Sequence, residues 1–367
     1  MKRLPVLLLL LTNCAFATVS VSSPVSNGTY TSPVHFVASA STTCSAGISS
    51  TGIYTAPYVL AYKVSGSSLN TYLQLASGTY NTVVQAWDKC GHSSSTAVKI
   101  TVSSSASVPA SSHVFLVVEE NHSYSSVIGN SSMPYLNSLA TKYGLATKYY
   151  ANTHPSIGNY FMMTAGQIIT NNDSQCSTLT QDNVVRHLLT AGKTWKAYAE
   201  SLPSAGYTGC GVYPYAKKHN PLAYFSDVAN SSEKYHLVPF TRFATDLANN
   251  SLPNFSFVVP NLLNDAHDGS LSTADAWLKK NIAPLIASST FQKNGILFIV
   301  FDESVDSDIQ HGGGHIAAVV IGPRVKAGYR SSVLYQHQNL LKTIMKALGL
   351  SSFPGSASGA AAMTDFF

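Results

Sequence analysis

Chemistry in this 367-residue sequence concentrates where short apolar runs end in polar clusters. Residues 114–118 are apolar and deliver Glu119-Glu120-Asn121-His122, in which a carboxylate followed by an amide oxygen suits a hard divalent cation. The run 296–301 ends in Asp302-Glu303, two adjacent carboxylates that repel one another and invite a cation between them. Soon after comes His311-Gly312-Gly313-Gly314-His315, a glycine turn feeding a further apolar run and placing His315 near the same rim. Between these lies Thr153-His154-Pro155-Ser156-Ile157-Gly158-Asn159-Tyr160. Pro155 disfavours helix before itself, so a helix is predicted to begin near Ser156, with that hydroxyl and free backbone N–H groups at its positive end. Such an arrangement can bind phosphate and present a nucleophile to it. Two further clusters, Lys218-His219-Asn220-Pro221 and the stretch from Pro260-Asn261 through Asn264-Asp265 to His267-Asp268, add groups able to bind metal or move protons. Each cluster has a plainer alternative: a polar strand exit, an N-cap serine, a solvated acid pair or a turn histidine. It is their number and order that favour chemistry.

The elements that would position these groups are legible in the apolar pattern. Continuous runs at 114–118, 255–259, 296–301 and 316–321 read as strands buried on both faces. Helix-like stretches at 159–169, 273–286 and 338–348 alternate with them, predicting an α/β domain with a mostly parallel sheet and helices on both faces. In such sheets ligands sit beyond the carboxyl ends of the strands, where the acids and Ser156 fall.

The rest of the chain has another texture. Residues 1–17 combine Lys2-Arg3, an apolar run over 4–11 and Ala15-Phe16-Ala17, which predicts a signal peptide cleaved after Ala17. Residues 18–103 are rich in Ser, Thr, Val and Gly, with short alternating runs and turn signals, and predict a small all-β sandwich in which Trp87 is buried beside a disulfide. Residues 104–112 are Ser-rich and lack large apolar side chains, so they read as a linker, and 113–367 form the chemical domain. Beyond the leader, Cys44, Cys90, Cys176 and Cys210 are an even set in an exported chain, and pairing within each domain joins Cys44 to Cys90 and Cys176 to Cys210. Charged residues are only 11% of the chain and the formal charge is +5, which excludes a polybasic nucleic-acid binder. The predicted leader implies a secreted or periplasmic location, and no later stretch approaches the roughly 20 apolar residues of a transmembrane helix.

Taken in order, Glu120-Asn121-His122-Ser123, His154-Pro155-Ser156 with Asn159-Tyr160, Lys218-His219-Asn220-Pro221, Pro260-Asn261 with Asn264-Asp265 and His267-Asp268, Phe301-Asp302-Glu303 and Gly313-Gly314-His315 resemble the phosphoesterase family of bacterial acid phosphatases and phosphatidylcholine-type phospholipases C. The resemblance spans about residues 113–367, including the closing Met363-Thr364-Asp365-Phe366-Phe367, and implies an alkaline-phosphatase-like fold. Asn159 and Gly166, three and ten residues beyond Ser156, resemble positions that accompany the nucleophile elsewhere in that superfamily. The resemblance implies Ser156 as nucleophile and a divalent metal ion, of open identity, held by Glu120, Asn121, Asp302 and Glu303. It implies phosphate contact or proton donation by His219 and His267, and substrate contact by Asn159, His154 and His315. Some relatives carry two aspartates where this chain has Asp302-Glu303. The N-terminal sandwich resembles immunoglobulin-like modules of secreted bacterial enzymes, to which cell-surface or carbohydrate contact would fall.

The function expected is a secreted, metal-dependent hydrolase of phosphate monoesters acting through a phosphoserine intermediate. A phospholipase C or other phosphodiesterase is the enzymatic alternative, and a non-catalytic surface or carbohydrate-binding protein the alternative of a different class.

Overall fold

In the computed structural model, which describes residues 17–73, 75–103 and 107–367, the apolar run after residue 113 becomes the centre of an eight-stranded sheet. Residues 1–16 of the predicted leader and 104–106 of the predicted linker lie outside the described residues, and Ala17 opens a strand. The strands lie in the order Leu237–Pro239, Trp195–Ala199, Phe255–Val259, Val114–Glu119, Ile296–Phe301, Ala318–Ile321, Gly144–Ala146, Tyr329–Ser331. Neighbours are parallel except that Ala318–Ile321 runs against both of its partners. Every residue of Val114–Glu119, Phe255–Val259 and Ile296–Phe301 is buried, so both faces of the sheet are covered, as continuous Val/Ile/Phe runs require.

The covering helices pack in pairs. Ser156–Ala165 lies against His337–Ala347, and Pro134–Lys142 against Leu271–Ala287. Asp275 joins the second pair: its carboxylate accepts the backbone N–H groups of Tyr135 (2.9 Å) and Leu136 (2.8 Å), satisfying donors at a helix start that Pro134 opens. The helix Ser156–Ala165 is buried along its whole length and ends at Gly166, whose φ of +66° is a left-handed cap. A side chain there would collide with the Pro354 carbonyl, so the glycine serves both conformation and close packing.

The chain divides into two compact units, one ending at Ser107 and the other running Val108–Phe367. The first is all β, with a three-stranded antiparallel sheet, Ala17–Ser23, Val34–Thr42 and Ser68–Leu73, and a five-stranded sheet, Gly28–Thr31, Ser93–Ser103, Gly78–Asp88, Ile48–Ala56 and Val59–Ser65. Phe36, Ala38 and Leu69 of one sheet meet Ile53, Val84 and Ile100 of the other in a single core. The Cys44–Cys90 disulfide ties the segment after Val34–Thr42 to the turn after Gly78–Asp88. Trp87 departs from expectation: it is half-buried on the opposite face of its strand from Val84 and Ala86, with Lys63 Nζ 4.8 Å from its ring centre. The two-residue alternation of the strand turns it outward.

Candidate active site

Two adjacent parallel strands, Val114–Glu119 and Ile296–Phe301, end side by side, with Phe301 paired to Glu119. Beyond those tips the chain turns sharply. Asn121 takes φ +54°, a left-handed conformation that Asn tolerates better than most residues, and its N–H donates to Asp302 Oδ1 at 3.2 Å. The Glu303 N–H donates to the same oxygen at 2.6 Å, so Asp302 Oδ1 knits the two tips together while Oδ2 is buried with no partner.

Ser156 faces this junction from the first turn of its helix. Pro155, not Ser156, is the N-cap residue. The serine hydroxyl lies 3.0 Å from Glu303 Oε1, 3.2 Å from Glu120 Oε2 and 3.4 Å from Asn121 Oδ1. One hydroxyl hydrogen cannot serve three acceptors. The site therefore holds more oxygen lone pairs than protons, and the orphaned Oδ2 atoms of Asp302 and Asp265 add to the surplus. Burial, then Asp302 and Asp265, push the Glu120 carboxyl well above its usual range. Burial and then Asp302 carry Glu303 to about 9, and burial takes Asp265 to about 7. These oxygens could hold a hard divalent cation, which would replace the protons such carboxyls otherwise keep. Glu120 with His219 and Asp265, and Glu303 with His154 and Asp306, each bring ligand atoms within 4.8 Å of one another.

The histidines divide into distinct environments. His219 is buried between Glu120 Oε1 and Asp265 Oδ2, 3.3 Å from each, with its ring stacked on Tyr160 at 5.0 Å. Burial lowers its pKa to about 3, so the ring is neutral. His267 is 5.8 Å away between ring centres, its side chain 28% exposed, with Nδ1 2.7 Å from Asp268 Oδ1. It is thus open to solvent where His219 is not. His154 has both nitrogens engaged, Nδ1 at 2.7 Å from Glu303 Oε2 and Nε2 at 3.0 Å from the Asp308 carbonyl, so it braces Glu303.

Two residues expected at the substrate are otherwise employed. Asn159 is fully buried: its Oδ1 accepts from the N–H groups of Asn152 and Thr153, and its Nδ2 donates to the Thr153 carbonyl at 2.7 Å. The amide thus fixes the segment leading to His154. His315 stacks on Tyr124 and Tyr150, with Nε2 3.0 Å from the Thr147 carbonyl. The reversal of Ala318–Ile321 explains this, because the glycine turn feeds that strand from the rim toward Tyr150.

Four contributors lay outside the expected site. The Tyr160 hydroxyl donates to Glu120 Oε1, and its position one helical turn after Ser156 was the available signal. Asp265 stood in a quoted motif without a role. His337 is buried, with one nitrogen 2.7 Å from the Asp302 carbonyl and the other 3.1 Å from the Tyr149 hydroxyl; burial lowers its pKa to about 4, and no sequence signal marks it. Asp173 accepts the Ile157 N–H at 3.3 Å and pairs with Lys218 Nζ at 2.6 Å, closing the helix start. Next to that pair opens a cleft of about 300 Å³, walled by Tyr213, Tyr215, Tyr224 and the Cys176–Cys210 disulfide.

An acid-ringed serine at a buried helix start, beyond the strand tips of a mixed α/β sheet, is the equipment of a hydrolase acting on phosphoric ester bonds. Residues 130–351 match the Phosphoesterase family, and the chain belongs to it. A Mycobacterium tuberculosis protein named Phosphatidylinositol-3-phosphatase is 36% identical over 262 residues, 71% of this chain and 84% of that protein. An Acid phosphatase of Aspergillus fumigatus is 31% identical, over 65% of this chain and 55% of its own length. The chain thus spans little more than half of that fungal relative. A solved Vibrio parahaemolyticus protein of the alkaline phosphatase superfamily aligns over 68% of this chain and 69% of its own, at 12% identity and a TM-score of 0.47.

Proposed function

We propose that this chain is an exported, divalent-cation-dependent phosphatase that hydrolyses phosphate monoesters through a phosphoserine intermediate on Ser156. The observation that carries the reading is the Ser156 hydroxyl within 3.0–3.4 Å of Glu303, Glu120 and Asn121 at a buried helix start. Glu120, Asn121, Asp302 and Glu303 would hold the cation. When bound, it supplies positive charge that stabilises phosphoryl oxygens and lowers the pKa of a nearby hydroxyl. Ser156 gives up its proton to solvent and its Oγ attacks phosphorus in line as the ester oxygen departs, and the serine oxygen regains a proton when water cleaves the phosphoserine. His267, oriented by Asp268, gives a proton to the departing oxygen and takes one back from the water that cleaves the phosphoserine. His219 stays neutral and, with Tyr160, sets the position of Glu120. Ser156→Ala should abolish release of phosphate from a nitrophenyl monoester while the melting curve stays that of the parent. Retained turnover in that variant would reject the nucleophile.

A second reading, hydrolysis of diesters by a phospholipase C type of activity, is favoured by the tyrosine-walled cleft beside Asp173 and Lys218, which offers room for a bulky leaving group. The name of the mycobacterial relative supports instead a monoester carried on a large leaving group. Comparing turnover of nitrophenyl phosphate and nitrophenylphosphocholine separates the two. Export is supported by the paired cysteines in both units. We read the N-terminal unit as an immunoglobulin-like module from its two facing sheets around one core.

A further inference from the structure

The N-terminal unit carries a feature that its own folding does not call for. The strands Ile48–Ala56 and Val59–Ser65 are joined by a two-residue turn, Pro57-Tyr58, with Ala56 paired to Val59. Tyr58 has φ +64°, a conformation for which Gly or Asn is the usual choice and which a bulky L side chain disfavours. No packing compensates it, because Tyr58 is 99% exposed. Strain held at an exposed aromatic points to use rather than to stability.

The surroundings indicate what that use is. Tyr58 and Pro57 form one wall of a trough of about 560 Å³ on the five-stranded sheet, whose floor is built from Tyr54, Asn81, Val83 and Gln85. The register explains the grouping: Tyr54 is paired with Val83 and Gly52 with Gln85, so these side chains share the face opposite the core residues Ile53 and Val84. The Trp87 ring continues this face, 6.3 Å from Tyr54. Aromatic faces take the C–H face of a pyranose ring, and neighbouring amides bond to its adjacent hydroxyls. The lining side chains carry no charge, and the nearby cation, Lys63, lies over Trp87. Polyanions are held by clustered Lys and Arg, which this lining lacks.

We propose that this trough binds a neutral polysaccharide, with Tyr58 as its stacking platform and Asn81 and Gln85 as hydrogen-bonding partners. The inference is independent of the esterase reading. The test uses the full chain in depletion assays on microcrystalline cellulose and chitin, and in gel electrophoresis through a soluble neutral glucan. The parent is expected to be retained by at least one of these. Tyr58→Gly should weaken that retention at least tenfold while leaving the melting temperature unchanged or higher, since glycine relieves the backbone. Asn81→Ala should weaken retention without touching the turn, and phosphate-ester turnover should be unaffected in both variants. Retention by none of the three matrices, or undiminished binding by Tyr58→Gly, overturns the proposal. Loss of binding together with a lower melting temperature does so as well, because it would make Tyr58 a packing residue.

Discussion

Ser156 shows what a side chain gains from being where its neighbours are in conflict. Its hydroxyl is shared among oxygens that outnumber the protons available, and the conflict is resolved by a cation or by protonated carboxyls. The chemistry-bearing residues at strand ends were legible because an apolar run that stops on Glu120-Asn121 or Asp302-Glu303 has few structural reasons to do so. For Asn159 and His315 the structure shows partners that residue type and spacing did not announce, because neither tells which way a polar group faces. Asn159 sits on the helix turn after Ser156, yet its amide bonds to the main chain of Asn152 and Thr153. Asn159→Ala should therefore lower stability by about 1–3 kcal/mol through the backbone groups it strands, and lower kcat through a displaced His154. Urea unfolding and steady-state kinetics check this: a variant of parental stability with a raised KM would restore the phosphate contact.

Elements deliver these groups through contacts that the apolar pattern cannot encode. The pattern predicted the parallel strands and the helix starting at Ser156, but not that Ala318–Ile321 would run backward. That reversal brings Gly312 and Gly313 against the main chain of Asn152 and Thr153, where any side chain would collide with the carbonyls. The glycine run is thus a turn that also allows close approach to the main chain just ahead of His154. Asp275 acts likewise across two helices, since its carboxylate completes the start of Pro134–Lys142. Asp275→Ala should cost about 1–3 kcal/mol in urea-induced unfolding, with ester turnover per folded molecule retained. A change below the error of the measurement would show that water replaces the carboxylate at no penalty.

The unit Val108–Phe367 must tolerate a concentration of buried acid, and its stability should report this. Glu303 keeps its proton up to about pH 9 when folded, against an ordinary value of 4.5. Without a cation its contribution favours the folded state below pH 4.5 and is lost as the pH rises toward 9. In chelator the melting temperature should carry this decline across that window, a divalent ion should oppose it, and Glu303→Gln should lessen it. An identical pH profile for parent and variant in chelator would show that the carboxyl is not the source.

The central strand Val114–Glu119 has both of its partners far downstream, at Phe255–Val259 and Ile296–Phe301. A nascent polypeptide, or one clipped ahead of Asp302, thus owns Ser156 with Glu120 and Asn121 but without Asp302 and Glu303. On the proposed mechanism the site is complete only once Ile296–Phe301 and the acids that follow it have been made, so the order of synthesis would set the moment of competence.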